Sequence, residues 1–386
     1  MSTAPAVAAN RPHRKLKIGI TASSAQYSNH TSLWENGMAQ NILYLAMLFM
    51  RLPDVEAWLV VPDDAQGDLA MANQFGLPAF RVGDGLDRLD LLIELGARFD
   101  AGQMARFRER GGRLISYVAG NAMVFNFESL ANANTNGEIL SHSGYDAVWL
   151  TPQHVTTNHS YARLTRSDAV LEAPHIWHPA CLLNSIVQYG NADFYWKARE
   201  SEGDWRIGVF DPTINVVKTF HLPLLVCEEA ARRAPDLIRS VLLFSAERFI
   251  GNIHFSELVA SLDLGKAGKV FAEARFPIGG LLGRHVDAVV THQWENRLNY
   301  LYWDVLYSGR PLVHNIADLE GAGYYFRDFD PQDGGRVLAE TLPGHGARRD
   351  AARRGELEIL FRYSIDNPEV QSRYRDLIVA AMDTQS

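Results

Sequence analysis

The strongest constraint on this chain is an order of segments that runs once, breaks, and then restarts. Leu16 to Thr21 is a short β-branched and aliphatic run that opens onto a polar loop, Ala22 to Ser32. Leu33, Met38, Ile42, Leu45, Met47 and Leu48 then recur at helical spacing, with Ser32 as N-cap and Glu35 three residues on as the partner of a capping box. The pattern continues with a strand at Ala57 to Val61, a strand at Leu89 to Leu95, a helix at Ala101 to Arg110, and strands at Arg113 to Val118 and Ala147 to Leu150. Periodicity fades between Leu183 and Asp204, where charged residues and glycine gather, as expected of a hinge. The pattern resumes with a strand at Trp205 to Phe210, a loop at Asp211 to Lys218, a helix at Leu222 to Arg233, a strand at Ser240 to Phe244, a helix at Ile253 to Leu262, and strands at Val270 and Ala288. Strands alternating with amphipathic helices build a parallel sheet covered on both faces, so two consecutive α/β halves are expected.

The chain has 386 residues, enough for two domains and a large core. The expected division is a disordered tail at 1–14, a first domain at 15–185, a second at 204–354, and closing helices at 355–386. Hydrophobic residues at 47% and charged residues at 21% are ordinary globular usage. The net charge is −8 and the basic residues form no stripe, which argues against nucleic acid as a partner. Cys181 and Cys227 have no CxxC spacing, so neither a zinc site nor a disulfide is expected, and a reducing cytoplasm fits. Met1 to Arg14 lacks the apolar core of a signal peptide, and the longest apolar run, Ile42 to Leu52, falls well short of the roughly twenty residues that span a bilayer. Membrane contact is therefore expected to be peripheral at most. Thirteen histidines include no HExxH motif, and no metal is expected.

In open α/β sheets ligands lie beyond the carboxyl ends of the strands, so the residues after each strand are the candidates. In the first half this rule selects Ser23, Ser24, Tyr27, the turn containing Trp34, Glu35 and Asn36, then Gly120 and Asn121, then Pro152, Gln153 and His154. Taken singly, Asn121 and Gln153 are ordinary turn residues and Trp34 is a staple; together they line one edge. His142 and His159 stand near the same edge. In the second half the rule selects Asp211, Pro212, Thr213, Asn215 and Lys218, a loop of hydroxyl, amide and ammonium donors before a helix N-terminus, suited to a diphosphate. No GxGxxG or GxxxxGK[ST] occurs. The other reading of Lys218 is a surface lysine lying along its helix.

The run DAVVTHQWENRLNYLYWDVLYSGRPLVHN, Asp287 to Asn315, is the most informative segment. Its strand at Ala288 to Val290 ends in a polar turn with His292, Glu295 and Asn296, a helix then runs to a Gly309 C-cap, and another strand starts at Pro311. Glu295 is expected in the helix's N-terminal turn, facing a ligand. Tyr300, Tyr302, Trp303 and Tyr307 read as packing residues, and Tyr324 and Tyr325 as better placed for ligand contact.

This run resembles the donor-binding core of retaining GT-B glycosyltransferases, in which a glutamate follows a strand, a second glutamate lies eight residues on, and a glycine and proline precede the next strand. Here Glu295 stands nine residues before Asp304, and aspartate replaces the second glutamate. The resemblance implies two Rossmann-like domains facing each other across a cleft, with Glu295 on the donor sugar and Asp304 on the nucleotide ribose. It likewise implies that Lys218 and Arg275 lie near the diphosphate and nucleotide, with Thr213, Asn215, His292, Asn296 and Asn299 completing the donor side, and with the closing helices crossing back to the first domain. The segments SLWENGMAQN and AGYYFRDFD also resemble a family of uncharacterised proteins of Burkholderia-like proteobacteria.

The expected function is transfer of a hexosyl unit from a nucleotide diphosphate sugar, a co-substrate and not a cofactor, to a saccharide, lipid-linked glycan or protein acceptor in bacterial glycan biosynthesis. Retention of configuration without a metal is expected, with Glu295, Lys218 and His154 as catalytic residues. Inversion would require a base such as His154 or Glu35. Trp34, Glu35, Asn36, Asn121 and Gln153 form the acceptor side. The alternatives are a nucleotide-sugar epimerase of the same architecture and a two-lobed ligand-binding protein.

Overall fold

A computed structural model of the chain describes residues 14–22, 37–63, 72–73, 75–131, 144–214, 216–297 and 299–383. Its first sheet has seven strands: β1 (Leu16–Thr21), β2 (Val55–Val61), β3 (Ala79–Arg81), β4 (Leu91–Glu94), β5 (Arg113–Val118), β6 (Ala147–Leu150) and β7 (Val170–Glu172), in the order β3-β2-β1-β4-β5-β6-β7. The second has six: β8 (Trp205–Val209), β9 (Ile238–Phe244), β10 (Val270–Glu273), β11 (Ala288–Val290), β12 (Leu312–His314) and β13 (Tyr324–Tyr325), in the order β10-β9-β8-β11-β12-β13. Every pairing is parallel. These are the two Rossmann-like domains expected from the order of segments. Strand order reverses between β1 and β4 and again between β8 and β11, which puts a ligand crevice at the C-terminal end of each pair.

The strands are mostly apolar because helices cover both faces. Ile18 and Ile20 of β1 pack on one side of the first sheet, while Val60, Leu92 and Leu114 pack on the other. Helix α1 (Gly37–Phe49) buries Ile42, Leu45 and Phe49 on the Ile18 and Ile20 side. The proposed capping box at Ser32 and Glu35 lies outside the described residues.

Three local differences from the sequence reading have physical causes. The strand expected at Leu89 to Leu95 is shortened because Leu86–Arg88 closes a 3-10 turn immediately before it. The segment expected to be irregular from Leu183 begins inside a helix, α2 (Ala180–Gln188), and order continues beyond it because Arg310 donates to the carbonyls of Asp193, Phe194 and Tyr195. After β11 the helix starts late: α3 (Tyr300–Ser308) is capped by Asn299, whose Oδ1 accepts from Leu301 N at 3.2 Å. Glu295, with φ 51°, lies in a loop and not in the helix's first turn, since a left-handed residue cannot join a right-handed helix. Gly309 ends α3 with φ 73°, where a side chain would be strained.

Helix α3 belongs to two cores. Val305 and Leu306 pack with Val289 and Leu312 of the second sheet, in a cluster continuous with Ile18 and Ile42 of the first domain. Tyr300 meets Tyr44 edge-on at 5.2 Å, and Trp177 Nε1 donates to Asp304 Oδ1 at 3.0 Å. The last helix, α4 (Pro368–Asp383), also lies on the first sheet, where Tyr374 Oη pairs with Tyr117 Oη at 2.8 Å and donates to Pro174 O at 2.7 Å. Among the described residues no helix is long and apolar enough to cross a membrane.

Candidate functional site

The crevices of the two sheets merge into one cleft of about 330 Å³. The first domain supplies Asn41 from α1, Gly120 after β5, His175 after β7, and Cys181 and Leu182 from α2. The second supplies Phe210, Pro212 and Lys218 after β8, Ser245 after β9, Arg275 and Phe276 after β10, and Asn296, Asn299, Tyr300 and Asp304 after β11. The cations in this lining, Lys218 and Arg275, both come from the second domain.

The loops of the second domain are held under strain. Thr213, Ser245 and Glu295 adopt left-handed φ of 50°, 61° and 51° on the loops after β8, β9 and β11. Each such residue costs about 1–3 kcal/mol and persists only where surrounding contacts enforce it. At Thr213 the enforcing bonds are from Phe220 N to Thr213 Oγ1 at 2.9 Å and from the Arg248 guanidinium to Thr213 O. At Glu295 the bond is from Asn121 Nδ2 of the first domain to Glu295 O at 2.5 Å. Asn121 is itself fixed by Asn158, whose Nδ2 donates to Asn121 Oδ1 at 2.8 Å.

Lys218 stands over a buried carboxylate. Asp211 accepts from Thr291 Oγ1 at 3.0 and 2.9 Å and from His292 N at 3.3 Å. Burial raises the Asp211 carboxyl, opposed by the Lys218 charge; burial lowers the Lys218 ammonium, opposed by the Asp211 charge. Burial also raises the Asp304 carboxyl to about 7, against the Trp177 hydrogen bond. His154 is pushed down to about 4 by burial first and then by the charges of Lys218 and Arg297, so its imidazole is neutral at pH 7. His175 is pushed down to about 3, mainly by burial. Its Nε2 accepts from Trp303 Nε1 at 2.8 Å, which leaves the neutral ring's proton on Nδ1.

The structure thus brings together Lys218, Arg275, Asn296, Asn299 and Asp304. Other residues expected at the site serve elsewhere. The Glu295 side chain is exposed and outside the lining, and Asn296, eight residues before Asp304, occupies the cleft wall. His292 is a prop, its Nε2 accepting from Thr219 N at 2.8 Å. The Thr213 hydroxyl is used by Phe220 N, and Gln153 meets the second domain through its carbonyl, which accepts from Arg297 at 3.2 Å. His154 is buried beside Lys218 and Arg297 but does not line the cleft. Tyr324 is paired with His345 at 2.7 Å, away from the cleft, whereas Tyr300, expected to be a packing residue, lines it. Ser23, Ser24, Tyr27, Trp34, Glu35, Asn36, His142 and Asn215 lie outside the described residues. His175 and Asn41 escaped the sequence reading. β7 is a three-residue strand too short for its periodicity to register, and Asn41 sits inside a helix where the strand-end rule does not look. Ser245 follows β9 directly and could have been found by that rule. Among the described residues no group of three or more His, Cys, Asp or Glu is arranged to hold a metal ion.

The fold has solved relatives. Anabaena HepE, crystallised with UDP-glucose, matches with a TM-score of 0.56 at 11% identity, over 95% of this chain and 100% of its own. The α,α-trehalose 6-phosphate synthase of Burkholderia multivorans matches at 0.56 and 12% identity, over 96% and 98%. The N-terminal domain of Candida albicans trehalose-6-phosphate phosphatase matches at 0.59 and 10% identity, over 97% and 98%. At these identities the likeness is one of fold. No curated protein sequence matches this chain. A family model described as "Protein of unknown function (DUF2827)" matches residues 18–378, and the chain belongs to that family.

Proposed function

We propose that this protein is a glycosyltransferase that moves a hexosyl unit from a nucleotide diphosphate sugar to a saccharide, lipid-linked glycan or protein acceptor, without a metal and in the cytoplasm. The observation that carries the reading is the composition of the cleft: Lys218, Asn296, Asn299 and Asp304 follow β8 and β11, which flank the switch point of the second sheet, and Arg275 follows the edge strand β10 and lines the same cleft. Two cations suit a diphosphate, and a carboxyl with two amides suits the hydroxyls of a ribose and a hexose. The shared fold with HepE, which was crystallised with UDP-glucose, supports the same reading.

In this mechanism Lys218 and Arg275 stabilise the diphosphate as its bond to the sugar breaks. Its departing oxygen takes the acceptor proton, so retention requires no base. Neutral His154 is buried beside Lys218 and Arg297, and its low pKa makes it a weak base. Glu295 acts through its backbone, by which Asn121 fixes the loop carrying Asn296. Calorimetric titration with UDP-, GDP-, dTDP- and ADP-linked sugars tests the proposal. Saturable binding of one of them is expected, and a folded protein that binds none refutes it.

A further inference from the structure

Two loops of the second domain bring Lys218 and Asn296 to the cleft, one after β8 and one after β11. They are tied to each other: Trp294 N donates to Val217 O at 3.0 Å, and Thr219 N donates to His292 Nε2 at 2.8 Å. Each loop is also gripped from the first domain, close to the residue that lines the cleft. On the β8 loop Val216 N, two residues before Lys218, donates to Glu128 Oε1 at 3.1 Å. On the β11 loop Glu295 O, one residue before Asn296, accepts from Asn121 Nδ2 at 2.5 Å. Arg297, one residue after Asn296, donates to Gln153 O at 3.2 Å.

The gripping side chains stand on a braced support. Glu128 belongs to the helix Ala122–Ala131, and Asn121 directly precedes it. Asn121 Oδ1 accepts from Val124 N at 3.2 Å and from Asn158 Nδ2 at 2.8 Å, while Asn158 Oδ1 accepts from Met123 N at 3.0 Å. These bonds join the start of that helix to the helix Pro152–Thr165, which carries Asn158. They also fix the Asn121 amide, whose oxygen faces its own helix and whose nitrogen faces Glu295 O. Neither Asn121 nor Glu128 lines the cleft, so what they set is the backbone path of the two loops. The β11 loop needs such a hold, because Glu295 at φ 51° keeps a conformation that a non-glycine residue adopts only under enforcing contacts.

We propose that Asn121 and Glu128 are positioning residues that hold the Lys218 and Asn296 loops in their ligand-binding form from across the domain boundary, so that the second domain's half of the site is complete only against the first. A ligand held by those loops strengthens the same contacts in return, because coupling between two equilibria is reciprocal. Naming that ligand a nucleotide diphosphate sugar rests on the proposed function; the coupling of the loops to the first domain does not.

Glu128→Ala deletes one acceptor from a partly buried side chain, and Glu128→Gln keeps it. Asn121→Asp keeps the oxygen that serves Asn158 and Val124 and sets a second oxygen against Glu295 O. Affinity is measured by calorimetry with whichever UDP-, GDP-, dTDP- or ADP-linked sugar binds the wild type, and amide hydrogen exchange is followed by mass spectrometry with and without it. Glu128→Ala and Asn121→Asp are each expected to weaken binding about threefold to tenfold, and Glu128→Gln less than about twofold. In the free protein Glu128→Ala speeds exchange in the peptide carrying Val216 and also in the one carrying Trp294, through the Trp294 to Val217 bond. In the wild type the ligand slows exchange in the helix Ala122–Ala131, which does not line the cleft. The proposal is overturned if Glu128→Ala and Asn121→Asp lower the melting temperature yet leave affinity unchanged, or if Glu128→Gln loses as much affinity as Glu128→Ala. Faster exchange confined to the Val216 peptide overturns it as well. If no nucleotide-sugar binds the wild type, the nucleotide reading fails alone, and hydrogen exchange in the free variants still decides the coupling.

Discussion

Replacing Lys218 by methionine separates the anion-binding reading from a merely structural role for this lysine. In the cleft its ammonium is expected to make a charge-assisted hydrogen bond to the diphosphate, worth about 1.5–3 kcal/mol, so the variant should bind the nucleotide about 10- to 150-fold more weakly. The same substitution disturbs the fold, because Asp211 loses the opposing positive charge and, among the described residues, keeps Thr291 Oγ1 and His292 N as donors. The expected loss at pH 8 is about 1–3 kcal/mol of unfolding free energy. The Asp211 carboxyl already lies above its ordinary value, so its charged form is disfavoured in the folded state. That penalty grows as pH rises and is relieved on acidification, so Lys218→Met is less destabilised at pH 5 than at pH 8. A double variant, Asp211→Asn with Lys218→Met, removes both charges and should regain most of the stability while remaining deficient in binding. Titration calorimetry with whichever of UDP, GDP, dTDP or ADP binds the wild type, together with urea unfolding at the two pH values, gives all four quantities. Unchanged affinity in Lys218→Met refutes the assignment. Recovery of affinity in the double variant refutes it as well, since the loss would then reflect damage to the fold and not the missing charge.

Three further outcomes follow from the same geometry. Asp304→Asn should stabilise the protein and weaken donor binding: with the folded carboxyl near 7 and the unfolded value near 3.8, the charge costs stability progressively from about pH 4 to 7. The gain is therefore up to roughly 4 kcal/mol at pH 8 and smaller at pH 5, read by denaturant unfolding. Glu295→Gly removes an exposed side chain and relieves a left-handed backbone, so nucleotide-sugar affinity should stay within about twofold, whereas Asn296→Ala should lower it about threefold to tenfold; calorimetry giving the reverse order would restore the side chain of Glu295 to the site. Gly309→Ala places a Cβ at φ 73° and 2.9 Å from Arg349 Nε, and a loss of about 1–2 kcal/mol in unfolding free energy is expected.

Much of the architecture was legible because parallel strands covered on both faces are mostly apolar runs, and β1, β5, β8 and β11 are such runs. The strand-end rule also reached Lys218, Asn296 and Gly120, since it needs only the position where a strand stops. It failed where position along the chain does not determine direction in space. Glu295 and Asn296 are neighbours, yet the left-handed backbone at Glu295 places Asn296 in the cleft wall and leaves the Glu295 side chain in solvent. Spacing alone could not foresee that turn, because the bond that enforces it comes from Asn121, 174 residues away. His175 and Tyr300 were missed for a related reason. One follows a strand of three residues, and the other has an aromatic ring that packs like its neighbours while also forming part of the cleft wall.

Helix α3 carries a consequence for how proteins of this kind change what they recognise. A residue on this helix answers to three neighbourhoods at once: the second sheet, the first domain and the ligand. A substitution that reshapes its ligand-facing side must also be accepted by two interiors, so most such changes are lost to misfolding before specificity can shift. The loops after β9 and β10 carry no such double obligation. New substrate preferences are therefore expected to arise by drift around Ser245, Arg275 and Phe276, while the helix between the domains stays as a fixed reference against which those loops vary.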